Sequence, residues 1–381
     1  MTLAFSSEQF VLGILGGGQL GRMLIQEAIN LNINTAVLDP DANAPCRNLT
    51  GSFVHGDFRD YDQVLAFGRK VSLLTVEIEH VNTEALLQLE AEGIPVYPQP
   101  RVLQMVQDKG LQKQFFLENG IPTSEFVLTE LKNDLQKHPH LFPAVQKLRT
   151  SGYDGKGVQV LSDFNDLSKA FDAPSVLERK VDFITEISVI VSRNHAGEVA
   201  HFPAVDMEFN PDANLVEFLC SPARIETSIA NEAIRIAREV IEKAQMVGLL
   251  AVEMFVTRSG EVLVNEVAPR PHNSGHQTIE GNVTSQYAQH LRAILGLPAG
   301  ATDIIRPAVM INLLGEPGYQ GEAKYDGIEE VLQMPGTYVH LYGKKITKPF
   351  RKMGHVTITA GTAEEAIRIA RSVQKTLKVI A

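Results

Sequence analysis

Glu253 and Glu266 lie in two apolar runs, 249–256 and 261–267, that flank Thr257-Arg-Ser-Gly260. Apolar runs joined across a short glycine-containing turn predict a β-hairpin. With the turn at 257–260, Val256 faces Glu261 and Glu253 lies opposite Val264. Glu266 then falls on the same face as Glu253, one diagonal away, about 7–8 Å at the backbone. A three-residue loop would put the two acids on opposite faces. Asn265 is next to Glu266, and strict alternation points it the other way. Carboxylates in apolar strands need partners, because an unpaired buried charge is costly. The partner is either a lysine or arginine in a structural ion pair or, with phosphates nearby, a hard cation such as Mg²⁺. The run that follows, Pro269-Arg-Pro-His-Asn-Ser-Gly-His276, is dense in donors and reads as a site.

Two glycine-rich stretches could meet phosphates. Lys147 stands near the end of a predicted strand, just before Arg149-Thr-Ser-Gly-Tyr-Asp-Gly-Lys-Gly157. Such a loop can fold its N–H groups over phosphate oxygens, with Lys113 and Lys147 as point charges. The bland alternative is a solvated hairpin loop. It is neither a Walker A loop nor the kinase type, since G-x-x-x-x-G-K-[ST], H-R-D and D-F-G are absent. Gly16-Gly-Gly-Gln-Leu-Gly21 matches G-x-G-x-x-G between a predicted strand and helix, and Asp39 ends the next strand, the context of a dinucleotide site. Any phosphate would suit the same backbone donors, and so would a purely structural turn.

The elements that must position these residues change character along the chain. Up to residue 97, strands at 11–15, 35–38, 71–78 and 94–97 alternate with helical stretches such as 61–70, which implies a parallel sheet covered on both faces. Beyond Pro98 the spacing predicts a helix over 108–119, stopped by Gly120 and Pro122, and strands at 143–148, 158–161, 176–178 and from 186 to 192. An amphipathic helix over 230–247 ends at Gly248, and Thr362-Ala-Glu-Glu365 is a capping box opening a last helix through 377.

The chain of 381 residues is long enough for two or three domains. Its formal charge of −10 argues against nucleic acid as a partner, without excluding a basic pocket for a small anion. Cys46 and Cys220 read as free thiols in a reducing compartment. No stretch approaches ~18 consecutive apolar residues, so no membrane contact is expected. Residues 1–10 lack the features of a secretory signal, and a cytoplasmic location is expected.

With these residues in view, the chain resembles the ATP-grasp superfamily, and within it the N5-carboxyaminoimidazole ribonucleotide synthetase family. The resemblance runs from about residue 11 to 358. It rests on Gly18-Gln-Leu-Gly-Arg-Met23, on Lys147 with Gly152-Tyr-Asp-Gly-Lys-Gly157, on Asn265-Glu-Val-Ala-Pro-Arg-Pro-His-Asn-Ser-Gly-His276 and on Arg351-Lys-Met-Gly-His355. It implies a mixed α/β and α+β fold in three parts: a Rossmann-like domain over 1–108, a small lid over 109–183, and a larger domain over 184–381 with a β-rich segment from about 305.

The implied reaction carboxylates 5-aminoimidazole ribonucleotide at the expense of ATP, with bicarbonate activated as carboxyphosphate, in purine synthesis. The resemblance places Lys109, Lys113, Lys147 and the Gly152, Tyr153, Asp154, Gly155, Lys156 and Gly157 loop on ATP, with Asn265 and Glu266 beside it. It puts adenine against Glu178, Arg179, Lys180 and Val181, and ribose against Glu186. Lys109 stands where an arginine is usual. Glu253 and Glu266 would bind Mg²⁺. Arg270, His272 and Asn273 would surround bicarbonate. Gly18, Gln19, Leu20, Tyr153, Ser274, Lys344 and Arg351 would hold the ribonucleotide, and Asp154 and Lys352 would line the reacting centre. The family suggests a homodimer. The rivals are a formate-using glycinamide ribonucleotide transformylase, an NAD-dependent oxidoreductase, and an inactive nucleotide-binding module.

Overall fold

The structure is a computed structural model that describes residues 5, 7–150, 152, 157–210 and 215–381. Near the N-terminus, four parallel strands lie in the order Ser52–His55, Asn34–Asp39, Val11–Leu15, Leu73–Val76. Helix Gln19–Asn30 covers one face with Leu20, Met23, Leu24, Ile25 and Ala28, joined there by Tyr287, Leu291 and Ile294 of helix Gln286–Leu295. Helices Tyr61–Gly68 and Thr83–Ala91 cover the other. The first strand therefore delivers the glycine turn to the C-terminal edge of the sheet, where ligands meet open α/β sheets.

Four antiparallel strands form a second sheet in the order Phe126–Thr129, Ser175–Arg179, Ala144–Leu148, Val158–Leu161. The third is the largest, nine strands among the described residues. It runs from Val262–Ala268 and Gly248–Thr257 through Phe183–Arg193 to Ala308–Leu314, Lys352–Thr359 and Thr337–Leu341. The β-rich stretch beyond 305 thus extends this sheet. Helix Thr227–Ala244 packs Ala233, Ile236, Ala237, Val240 and Ile241 onto it. Phe116 of helix Lys109–Glu118 enters the same core, which ties that helix to the large sheet.

Several expectations are corrected. Residues 94–97 form only a bridge between Leu74 and Val96, and the strand expected over 71–78 is Leu73–Val76. Ser52–His55 went unseen because it is a largely exposed edge strand with no alternation of buried side chains. The long helix ends at Ala244, capped by Gln245 in the left-handed region (φ 49°); Gly248 instead opens the next strand.

The hairpin register also differs. Thr257 N–H donates to Glu261 at 2.9 Å and Gly260 takes φ +84°, which leaves a three-residue loop. That parity alone would separate the two acids. A bulge between Glu253 and Met254 restores them: Met254 pairs with Val264, while Glu253 pairs with Glu266, so Asn265 is the extra residue. The acids face each other directly, closer than the expected diagonal.

Candidate active site

The bulge sets the chemistry of the hairpin. Both Asn265 and Glu266 turn toward the site, and Asn265 Oδ1 accepts from Lys147 Nζ at 2.8 Å. Alternation had pointed this amide away, and the extra residue is why it faces in. Glu266 accepts from Lys109 Nζ at 2.7 Å, and its side chain stays 42% exposed. The charge of Lys109 lowers the pKa of Glu266. Glu253, 17% exposed, is driven the other way by burial, then by Glu266 and Glu186. Glu186 itself is pushed up to about 7, by burial first and Glu266 next, against the pull of Lys147.

Lys147 Nζ also lies 3.1 Å from Glu178 Oε1, and Lys113 Nζ lies 3.0 Å from Glu178 Oε2. Burial works against the Glu178 charge, but Lys147, Lys113 and a 2.6 Å bond from Ser124 hold its pKa at about 2. Lys113 carries the cost of two cations around one acid. Burial, with Lys147 adding to it, brings it down to about 8 against the pull of Glu178. Its three donors are taken by Thr123 at 2.6 Å, Ser124 at 3.0 Å and Glu178. Lys113 therefore anchors Glu178, while Lys147 reaches the hairpin. Arg179 and Lys180 donate their N–H groups to the carbonyls of Glu125 and Pro143.

The donor-rich run closes the other side. Arg270 grips Glu79 through Nε at 2.5 Å and Nη2 at 3.0 Å, joining it to the N-terminal unit. His272 Nε2 is 3.3 Å from Glu253 Oε1, while its Nδ1 accepts the Ser274 N–H, which puts the ring proton on Nε2. Burial, then the charges of Arg270 and Lys352, lower His272 to about 3, so the imidazole is neutral. Ser274 is 1% exposed and bonded to Ser188 Oγ at 2.8 Å and His272 Nδ1 at 2.9 Å. It braces His272 from the protein side. Asn273 starts the short turn Asn273–Gly275 beside it.

Lys352 opens its strand close enough for its charge to act on Glu253 and His272. Lys344 Nζ donates to Lys352 O at 2.8 Å. Arg351 Nη1 donates to Ile346 O at 2.6 Å. Gly152 and Gly157 belong to the glycine loop; Tyr153, Asp154, Gly155 and Lys156 lie outside the described residues.

The N-terminal turn overturns its phosphate reading. Gly17 N–H donates to Asp39 Oδ2 at 2.6 Å, and Leu20 N–H donates to Glu77 Oε1 at 3.4 Å. A Cβ on Gly16 or Gly18 would come within 2.5 Å or 2.4 Å of the Glu77 carboxylate. Two protein carboxylates thus fill the anion position beside Gly18 and Gln19, which excludes a dinucleotide pyrophosphate there. Glu77 and Glu79 were missed from the sequence. Their signal was available: two acids spaced by two, just past the C-terminal end of a parallel strand.

The donors fit Mg²⁺. Two opposed carboxylates supply only oxygen, and the burial and like charges that raise Glu253 are what a hard cation relieves. Among the described residues, no group of three or more His, Cys, Asp or Glu side chains forms a metal cage. No helix among them is long and apolar enough to cross a membrane.

Comparison with known proteins gives three family matches: a ribonucleotide synthetase preATP-grasp domain over residues 10–107, an ATP-grasp domain over 114–287 and a phosphoribosylaminoimidazole carboxylase C-terminal domain over 308–369. The chain is 37% identical to phosphoribosylaminoimidazole carboxylase of Candida albicans over 93% of its own length, and it spans 65% of that longer protein. It is 41% identical to the crystal structure of N5-carboxyaminoimidazole ribonucleotide synthetase from Thermotoga maritima, with a TM-score of 0.90 over 98% of this chain and 99% of that one. It is 32% identical, with a TM-score of 0.87 over 96% and 98%, to N5-carboxyaminoimidazole synthase of Aspergillus clavatus in complex with ADP and 5-aminoimidazole ribonucleotide.

Proposed function

The chain belongs to the N5-carboxyaminoimidazole ribonucleotide synthase family of ATP-grasp ligases, and on that premise we propose that it carboxylates the exocyclic amine of 5-aminoimidazole ribonucleotide in purine synthesis. The observation that carries this reading is one cleft in which the Glu253–Glu266 pair meets Lys109 and Lys147 on one side and Arg270, His272 and Lys352 on the other.

ATP lies between the lid sheet and the hairpin. The Lys180 carbonyl and Val181 meet adenine, Glu186 holds ribose, and Lys147 holds the phosphates. Lys109 exchanges Glu266 for a phosphate oxygen. Glu253 and Glu266 hold Mg²⁺, which when bound offsets charge on the phosphates. Bicarbonate lies near Arg270 and His272, where its oxygen attacks the γ-phosphorus to give carboxyphosphate and ADP. Arg270, oriented by Glu79, and Lys352 stabilise the added negative charge. The ribonucleotide amine then attacks the carboxyl carbon; a C–N bond forms and phosphate leaves. The amine proton passes to a base, for which Asp154 is the candidate. The glycine loop excludes water, which would otherwise hydrolyse the mixed anhydride. A homodimer in the cytoplasm completes the reading.

The test is phosphate release from Mg·ATP. Release should accelerate only when bicarbonate and 5-aminoimidazole ribonucleotide are both present. Equal rates without the nucleotide, or acceleration by formate with glycinamide ribonucleotide instead, would remove the assignment.

A further inference from the structure

His272 is held by its main chain as well as by Ser274, and both main-chain groups go to one side chain. The His272 N–H donates to Gln286 Oε1 at 2.8 Å, and Gln286 Nε2 donates to the His272 carbonyl at 2.7 Å. A primary amide that takes the N–H and C=O of one residue reproduces the double bond pattern of a strand neighbour. It therefore fixes both the place and the tilt of that stretch of chain. Helix Gln286–Leu295 supplies the amide from its first residue.

The rest of the turn wraps around the same side chain. Gln286 Nε2 lies 3.2 Å from His276 Nδ1, which the Tyr287 hydroxyl also reaches at 3.1 Å. The Gln286 N–H donates to Thr278 Oγ1 at 2.8 Å, and that hydroxyl donates to the Gly275 carbonyl at 2.5 Å. Gly275 admits no side chain here: a Cβ would come 2.5 Å from Gln286 Oε1 and 2.2 Å from Ile190 Cδ1. Gln286 is fully buried, so water cannot replace a bond that it loses.

We infer that Gln286 is the positioning residue for His272, its amide setting the place and direction from which the neutral imidazole meets bicarbonate. This rests on the functional reading above. The ring is braced at Nδ1 by the Ser274 N–H, and Nε2 faces Glu253 at 3.3 Å. With the ring so held, the remaining way to misplace Nε2 is a shift of the main chain, and the Gln286 amide opposes that shift. What it contributes is orientation, and a misplacement of about 1 Å can cost about 100-fold in rate.

Gln286→Met keeps the length of the side chain and removes both bonds. Gln289→Met is the matched control. Gln289 lies one turn on in the same helix and is 1% exposed against 0% for Gln286. Its amide also makes two bonds, to Ser192 Oγ at 3.0 Å and from the Gly300 N–H at 2.9 Å, away from the turn. In bicarbonate-dependent phosphate release, Gln286→Met should lower kcat/KM for bicarbonate about 100-fold and leave KM for ATP unchanged. Gln289→Met should lose stability in urea to a similar degree and keep both constants. Gln286→Asn retains the amide but is one methylene too short to span His272, and should lose at least about tenfold; it gives the reading if Gln286→Met does not fold. Equal losses in Gln286→Met and Gln289→Met, or a wild-type bicarbonate response in Gln286→Asn, would overturn the proposal. A wild type whose phosphate release ignores bicarbonate defeats the functional reading instead. The clamp is then read from the ¹⁵N spectrum of histidine-labelled protein, with His272 identified by its loss in His272→Gln. Its ring signals should move in Gln286→Met and stay in Gln289→Met, and signals unmoved in both would overturn the clamp itself.

Discussion

Glu266→Gln should leave a folded protein with kcat lowered by roughly 10³-fold, a loss of about 4 kcal/mol of transition-state stabilisation. The substitution keeps the shape and removes the charge. In the free protein that charge faces Glu253 directly and pairs with Lys109 at 2.7 Å. The Glu266 side chain is 42% exposed, so losing the pair costs at most about 1 kcal/mol. Removing the like charge also lets the Glu253 pKa fall toward its ordinary value, which offsets part of that cost. Stability should therefore barely change while activity collapses. ATP binding followed by calorimetry across a magnesium titration gives a second readout: the variant should lose most of the magnesium dependence. A variant within tenfold of wild type, with its magnesium dependence kept, would remove Glu266 from the metal and phosphate site.

Glu178→Gln should be the most destabilising single change at the site, by about 3–5 kcal/mol, because it leaves two lysines buried without a counter-charge. Glu178 is 3% exposed and is the acid shared by Lys113 and Lys147. Its carboxyl pKa is about 2 in the folded state against about 4.3 in an unfolded chain. The stabilisation is therefore complete above about pH 4.3 and lost as pH falls through 2. Urea unfolding between pH 4 and 2 should weaken more steeply in wild type than in the variant. On the alkaline side stability again rises with pH, now through the lysine. Lys113, already drawn down to about 8, loses its counter-charge, and the variant should regain stability as pH rises from 7 to 9 and the lysine discharges. A variant as stable as wild type at pH 7 would contradict this role for Glu178.

The hairpin shows why part of the site was legible and part was not. Composition and turn residues identified two strands and two acids. Counting residues across the turn assumed an even loop and an unbroken ladder, and both assumptions failed. The three-residue loop and the Asn265 bulge each shift parity by one, so the acids still share a face, now directly opposed. The glycine turn was legible as a strand-to-helix turn but not in what fills it, because Glu77 reaches it from a strand 57 residues later in the chain. The polar run 269–276 read as donors throughout. Only packing shows that Ser274 points into the protein while Arg270 turns to Glu79. Lys113 and Lys147 looked equivalent as cations. Three-dimensional neighbours separate them, since Thr123 and Ser124 exist as partners only after residues 122–124 dock against Val264.

The central claim is that this cleft uses ATP to activate bicarbonate for attack by the ribonucleotide amine. The most direct measurement is oxygen transfer. With ¹⁸O-labelled bicarbonate, Mg·ATP and 5-aminoimidazole ribonucleotide, phosphate collected within the first turnovers should carry one ¹⁸O, passed on as carboxyphosphate breaks down. Phosphate released at the same rate with no label would mean that water attacks ATP, and would contradict the account.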